Sequence, residues 1–98
     1  MKFYGESIIS KSGKIFDVIR TPGHTLGSVS LYSEAEKVLF SGDTLFKEGV
    51  GRWDLGGNYS ELSNSIDKLK ALPDATEVFP GHGEFTTIAF EKENNPYF

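Results

Sequence analysis

Three short stretches of the chain each centre on a residue able to bind a metal ion: Thr21-Pro22-Gly23-His24-Thr25, Ser41-Gly42-Asp43-Thr44-Leu45 and Pro80-Gly81-His82-Gly83. His24 and His82 are the only histidines, and each of the three ligand-type residues follows a glycine. Two imidazoles and one carboxylate form a workable ligand set for Zn²⁺, and for non-haem iron where facial positions stay open. Each residue also has a plainer role. His24 after Pro-Gly could bond within its own turn, since single histidines are rarely ligands. Asp43 could close an Asx-turn over Gly42-Asp43-Thr44. His82 is harder to explain that way, because two flanking glycines suit a close approach to a ligand.

The elements that carry these residues follow from hydrophobic spacing. Lys14–Thr21 alternates loosely through Ile15, Phe16, Val18 and Ile19 and stops at Pro22-Gly23, which predicts a strand. Ser28–Ser33 predicts a second, with Val29 and Leu31 on one face and Ser28, Ser30 and Tyr32 on the other. A polar turn, Glu34-Ala35-Glu36, leads into Lys37–Ser41, whose Val38-Leu39-Phe40 run suits a buried strand. These two strands should form a hairpin that leaves Asp43 just past a carboxyl strand end, where open sheets place their ligands.

Lys47–Gly57 differs in kind. Gly49, Gly51, Gly56 and Gly57 surround Arg52-Trp53-Asp54-Leu55, too glycine-rich for a helix interior and too irregular for a strand. Asn58 then serves as an N-cap with Glu61 as its reciprocal partner. Leu62, Ile66, Leu69 and Leu72 recur at helical spacing as one apolar stripe, which Pro73 stops. Glu77-Val78-Phe79 predicts a short buried strand that delivers His82 to a turn. Thr86 or Thr87 caps a last helix over Ile88–Glu93, ended by Asn94-Asn95-Pro96.

Composition sets the outer bounds. Ninety-eight residues, 38% of them hydrophobic, make one small domain at most. A chain of this size buries a limited share of its surface, so its stability is marginal unless a partner covers it. The net charge of -4 and the scattered Lys and Arg argue against nucleic-acid binding. The absence of cysteine excludes disulfides and Cys-ligated zinc. The N-terminal residues lack the apolar core of a signal peptide, and no stretch is fit to span a bilayer. A soluble, cytoplasmic protein is expected.

The motifs, taken together, resemble those of a known family. Thr21-Pro-Gly-His-Thr-Leu-Gly-Ser, Phe40-Ser-Gly-Asp-Thr-Leu-Phe, Gly51-Arg-Trp-Asp-Leu and Phe79-Pro-Gly-His-Gly stand in family order and spacing. With Thr86-Thr87-Ile88 and Glu91-Lys-Glu-Asn-Asn-Pro-Tyr behind them, they look like the short glyoxalase II-like hydrolases of the metallo-β-lactamase fold. The resemblance runs from Lys14 to the end. The family's first two ligand motifs, written together as H-x-H-x-D-H, are absent.

That resemblance implies roles residue by residue. His24 matches the histidine that completes the first metal site, Asp43 the carboxylate that bridges both metals, and His82 the histidine of the second. In the intact family two metals polarise the substrate carbonyl and hold a bridging hydroxide, so Asp43 is also the catalytic candidate. Arg52 and Asp54 lie in the loop that contacts substrate in such enzymes, with Arg52 facing an anionic group; a mutual surface ion pair is the equal alternative. Trp53 and Tyr59 read as packing. The lack of cysteine separates the chain from the commonest zinc β-lactamases and argues against antibiotic hydrolysis.

The implied fold is α/β: the C-terminal half of an αββα sandwich, one half domain over residues 1–98, with one mixed sheet and two helices on one face. The implied activity is thioester hydrolysis of a small molecule such as an acyl-glutathione. Zinc is the expected metal, two ions in the intact family, with iron or manganese as alternatives. Half of the ligands are missing, so the chain alone is expected to be inert or nearly so. A homodimer or a complementing N-terminal half would cover the sheet face made to meet the missing sheet. The alternatives are a non-catalytic, dimerising half domain and an iron-dependent sulfur dioxygenase of the same architecture.

Overall fold

The computed structural model describes residues 6–9, 11–25, 27–54 and 57–98. Leu26 and Leu55, which belong to two of the motifs above, lie outside them. The strands are β1 (Glu6–Ile9), β2 (Ile15–Arg20), β3 (Val29–Ser33), β4 (Val38–Gly42), β5 (Leu45–Phe46), β6 (Gly49–Val50), β7 (Glu77–Pro80) and β8 (Thr86–Thr87). The helices are α1 (Tyr59–Lys70) and α2 (Ile88–Asn94).

Six strands form one mixed sheet in the order β1-β2-β3-β4-β7-β8. All pairs are antiparallel except β4 with β7, which run parallel because α1 crosses between them. The expected hairpin is present, with Leu31 opposite Phe40 and Ser33 opposite Val38. Lys37 closes its turn at φ 54. Two features were not expected. Glu6–Ile9 adds an edge strand against β2. Within the glycine-rich segment, Gly49-Val50 pairs with Leu45-Phe46 as a small ribbon, because the tight Lys47-Glu48 turn, with Glu48 at φ 62, folds the chain back on itself.

Both helices cover one face. The stripe Leu62, Ile66, Leu69 and Leu72 is fully buried, and it meets Ile19, Tyr32, Leu39, Val78 and Ile88 in a single core. Asn58 caps α1 through its side chain, which accepts from the Glu61 amide at 3.0 Å. The other half of a capping box is replaced: the Asn58 amide donates to the Gly23 carbonyl at 2.8 Å and ties the helix start to the His24 loop. Thr87 caps α2 by accepting from the Phe90 amide.

The opposite face carries no layer among the described residues. Strand period puts every second side chain there: Ile8, Phe16, Val18, Leu31, Phe40 and Phe79, aligned across the strands by register. Phe40 is 43% exposed and Phe79 37%. The expectation that Val38–Phe40 and Glu77–Phe79 are buried strands therefore holds for Leu39 and Val78 alone. Phe16, Phe40, Phe79 and Phe85 form a ladder with successive ring centroids 5.8 Å apart. Contiguous apolar faces of this kind mark contact surfaces. One layer of helices over a sheet with a bare apolar face is half of a sandwich.

Candidate metal centre

His24, Asp43 and His82 sit on three loops at one end of the sheet, after β2, β4 and β7. The His24 loop is fastened from below by α1. The Pro22 carbonyl accepts from Ser65 Oγ at 2.7 Å, and the Gly23 carbonyl from the Asn58 amide. Gly23, at φ 140, is the residue that permits this contact, because a Cβ there would overlap the Leu62 backbone. Between the roots of the His24 and Asp43 loops runs a buried hydroxyl chain. Thr44 Oγ1 donates to Thr21 Oγ1 at 3.1 Å, and Thr21 Oγ1 lies 3.2 Å from Ser30 Oγ. The Asp43 and His82 loops are joined by the Gly81 amide donating to the Gly42 carbonyl at 2.8 Å.

These anchors bring both imidazoles to one carboxylate. His82 Nδ1 donates to Asp43 Oδ1 at 3.1 Å. His24 Nε2 lies 3.9 Å from Asp43 Oδ2, the other oxygen. His24 Nδ1 stands 2.7 Å from the Arg52 carbonyl. A carbonyl only accepts, so Nδ1 carries a proton there, and Nε2 is the ring nitrogen turned toward Asp43. Backbone partners of this kind fix the tautomer of metal-binding histidines. The 3.9 Å between His24 Nε2 and Asp43 Oδ2 is near the roughly 3.4 Å between two donors on one tetrahedral zinc at about 2.1 Å, whereas His82 meets Asp43 through the nitrogen that donates to it. The donor types fit a divalent transition metal. Geometrically the set is partial: among the described residues no group of three His, Cys, Asp or Glu side chains could hold a metal ion on its own.

Arg52 and Asp54 are not turned to these loops by their side chains. Arg52 Nε and Nη2 grip Asp54 Oδ1 and Oδ2 at 3.0 and 2.8 Å, a bidentate pair on an exposed loop. The hydrogen bond from Arg52 holds the Asp54 carboxyl below the usual carboxylate range, and the same bond raises Arg52. The pair persists above that lowered value and is lost as pH falls through it. Arg52→Gln should therefore raise the Asp54 midpoint toward the ordinary value of about 3.9 in a carboxyl-carbon NMR titration. The His24 ring should keep its place, because its partner is the Arg52 backbone carbonyl. That backbone role had no signal in the sequence. Trp53 packs on Tyr59 and Tyr97, with centroids at 4.9 and 6.1 Å, as the packing reading expected.

Residues 3–82 match the model of the metallo-β-lactamase superfamily. The chain belongs to that superfamily. It is 41% identical over 92 residues to the hydroxyacylglutathione hydrolase GloC of Haemophilus influenzae, an alignment covering 92% of this chain and 43% of GloC. The crystal structure of TTHA1623 in a di-iron-bound form matches at 43% identity and a TM-score of 0.82, covering 85% of this chain and 42% of that one. The BLEG-1 B3 metallo-β-lactamase matches at 44% identity and a TM-score of 0.88, covering 99% and 47%. The chain spans less than half the length of these relatives.

A six-stranded mixed sheet with two helices on one face is thus a fragment of the metallo-β-lactamase fold, corresponding to its C-terminal half. The di-iron neighbour places metal binding within the superfamily. Among the described residues no helix is long and apolar enough to cross a membrane.

Proposed function

We propose that this chain is the C-terminal half of a metal-dependent hydrolase of the glyoxalase II-like type, and that it acts on thioesters such as acyl-glutathiones once the other half is present. The observation that carries this reading is the pair of imidazoles converging on the two oxygens of Asp43. Likeness to GloC supports the thioester. His24, Asp43 and His82 would hold the metal, with the remaining ligands supplied by the second half. Zinc suits the donor set, and two ions are proposed for the completed site. The bound metal would supply Lewis acidity toward the thioester carbonyl and an acidified water as nucleophile.

The chain's own residues do the positioning. The Arg52 carbonyl holds the His24 ring with Nε2 turned to Asp43. Asp43 offers one oxygen to each histidine side and keeps the two loops in register. The Arg52 guanidinium, exchanging Asp54 for a substrate carboxylate, would bind an anionic end of the thiol carrier, with Asp54 as its resting partner. The partner proposed for the bare Phe16–Phe85 face is a complementing N-terminal half rather than a second copy, because a second copy brings only the same three ligands. A cytoplasmic setting belongs to the same proposal, since free thiols persist there.

The test is thiol release from an acyl-glutathione by the purified chain, alone and mixed with the N-terminal half of a close relative. Turnover is expected only in the mixture, and it should vanish in His24→Ala and His82→Ala. Turnover by the chain alone that those substitutions abolish would overturn the need for a second half. A mixture that forms a complex without any turnover would favour the non-catalytic half domain. An iron-dependent sulfur dioxygenase is the second reading, and the di-iron form of TTHA1623 supports its metal. Oxygen uptake by the iron-loaded mixture would select it.

A further inference from the structure

Beside His82 lies an open groove of ≈ 630 Å³ lined by Phe46, Lys47, Glu48, His82, Gly83 and Glu84. One wall is the turn of the β5–β6 ribbon and the other is the loop between β7 and β8. The Lys47–Glu84 ion pair, 2.8 Å long, bridges them at the exposed rim. Exposed ion pairs hold little. The walls have a stronger tie underneath.

Glu91 on α2 is fully buried, and its carboxylate accepts three hydrogen bonds. Oε1 accepts from the Glu48 amide at 2.8 Å and from Asn95 Nδ2 at 2.8 Å. Oε2 accepts from Thr86 Oγ1 at 2.7 Å. Asn95, also buried, donates further to the Gly49 carbonyl at 3.1 Å. The carboxylate therefore holds the ribbon turn through Glu48 and the His82 loop through Thr86, a few residues beyond His82. A buried carboxylate with its hydrogen-bond sites filled by donors from two separate segments fixes their separation, because releasing either leaves a polar group unsatisfied.

We propose that Glu91, with Asn95 and Thr86, is the positioning residue of the candidate metal centre, a buried latch that sets the two walls of the groove and through them the aim of His82 at Asp43. The turn it secures is of the kind that needs holding, with Glu48 in the left-handed region at φ 62. The importance of His82 rests on the function proposed above. The latch itself does not, and it is read in the metal-free chain.

The experiment is amide hydrogen exchange with imidazole NMR on the full chain, comparing wild type with Glu91→Met, which keeps the length of the side chain and removes both acceptors. The Glu48 amide should be protected in wild type and exchange at least about tenfold faster in the variant. The His82 ring resonances should shift or broaden while those of His24 stay in place. Glu91→Gln, which retains an acceptor for Glu48, should restore most of the protection. If Glu91→Met does not fold, Thr86→Val cuts one tie only and should move His82 while leaving Glu48 protected, and Thr86→Ser should leave both unchanged. Faster exchange that is equal across α1 would overturn the proposal, as would an unmoved His82 or a Glu48 amide already unprotected in wild type. Zinc titration of the same samples reads the metal proposal separately.

Discussion

Asp43→Ala in the completed protein is expected to cost more than the roughly 10–100-fold that follows loss of an outer partner of a metal site. Turnover should fall at least about a thousandfold, since on the proposed function the change removes a metal ligand facing both histidines and not only its support. The fold should be spared. The Asp43 side chain is 43% exposed, and the turn that carries it is closed by backbone bonds from Thr44 to Ser41 and from Gly81 to Gly42. The melting temperature should accordingly stay within a few degrees of wild type, roughly the effect of 1 kcal/mol in a domain this small. Asp43→Asn keeps the shape and loses the charge, and it should resemble the alanine variant in turnover. A variant that melts far lower would mean that Asp43 is chiefly a turn residue, the plainer of the two roles its sequence setting allows.

Phe40→Ala should separate the half from the whole. The ring stands at the centre of the aromatic ladder, 5.8 Å from both Phe16 and Phe79, on a face with no layer over it among the described residues. In the isolated chain its truncation removes a partly hydrated contact and should cost roughly 1 kcal/mol or less. Against the proposed complementing half the same ring would become a buried aromatic anchor of the interface. Such anchors are worth about 2 kcal/mol or more, so affinity for the second half should fall about 30-fold or more. Titration calorimetry with both chains reads it directly. Equal affinity for wild type and variant would remove the ladder from the interface. A large loss of stability in the isolated chain would mean that the chain already covers the face itself.

Much of this arrangement was legible from spacing. The apolar stripe from Leu62 to Leu72, the Asn58 cap and the Val29–Ser41 hairpin are local patterns, and local patterns survive folding. The three Gly-ligand turns were legible for the same reason, since each ends a strand. The exposure of Phe40 and Phe79 was not, because a strand made to be buried on both sides reads the same whether or not its second layer is present. The Gly49-Val50 pairing was hidden by glycine content, which says what a segment cannot be more than what it becomes. Two contacts of the site left no trace in the sequence. The Arg52 carbonyl bonded to His24 is a backbone group that any residue at that position could offer. The Glu91 latch joins segments 43 residues apart, and only the tertiary fold brings them together.

Metal content of the purified protein, measured by plasma mass spectrometry without added metal or chelator, tests the central claim most directly. The geometry around Asp43 supplies two imidazole approaches to one carboxylate but no self-sufficient chelate among the described residues. The chain alone should therefore stay folded and carry well under about one equivalent of zinc, iron or manganese, and its mixture with an N-terminal half should retain about one equivalent or more. A full equivalent on the isolated chain, lost in His24→Ala, would contradict the claim that the second half completes the site. A mixture as free of metal as the chain alone would contradict the metal centre itself.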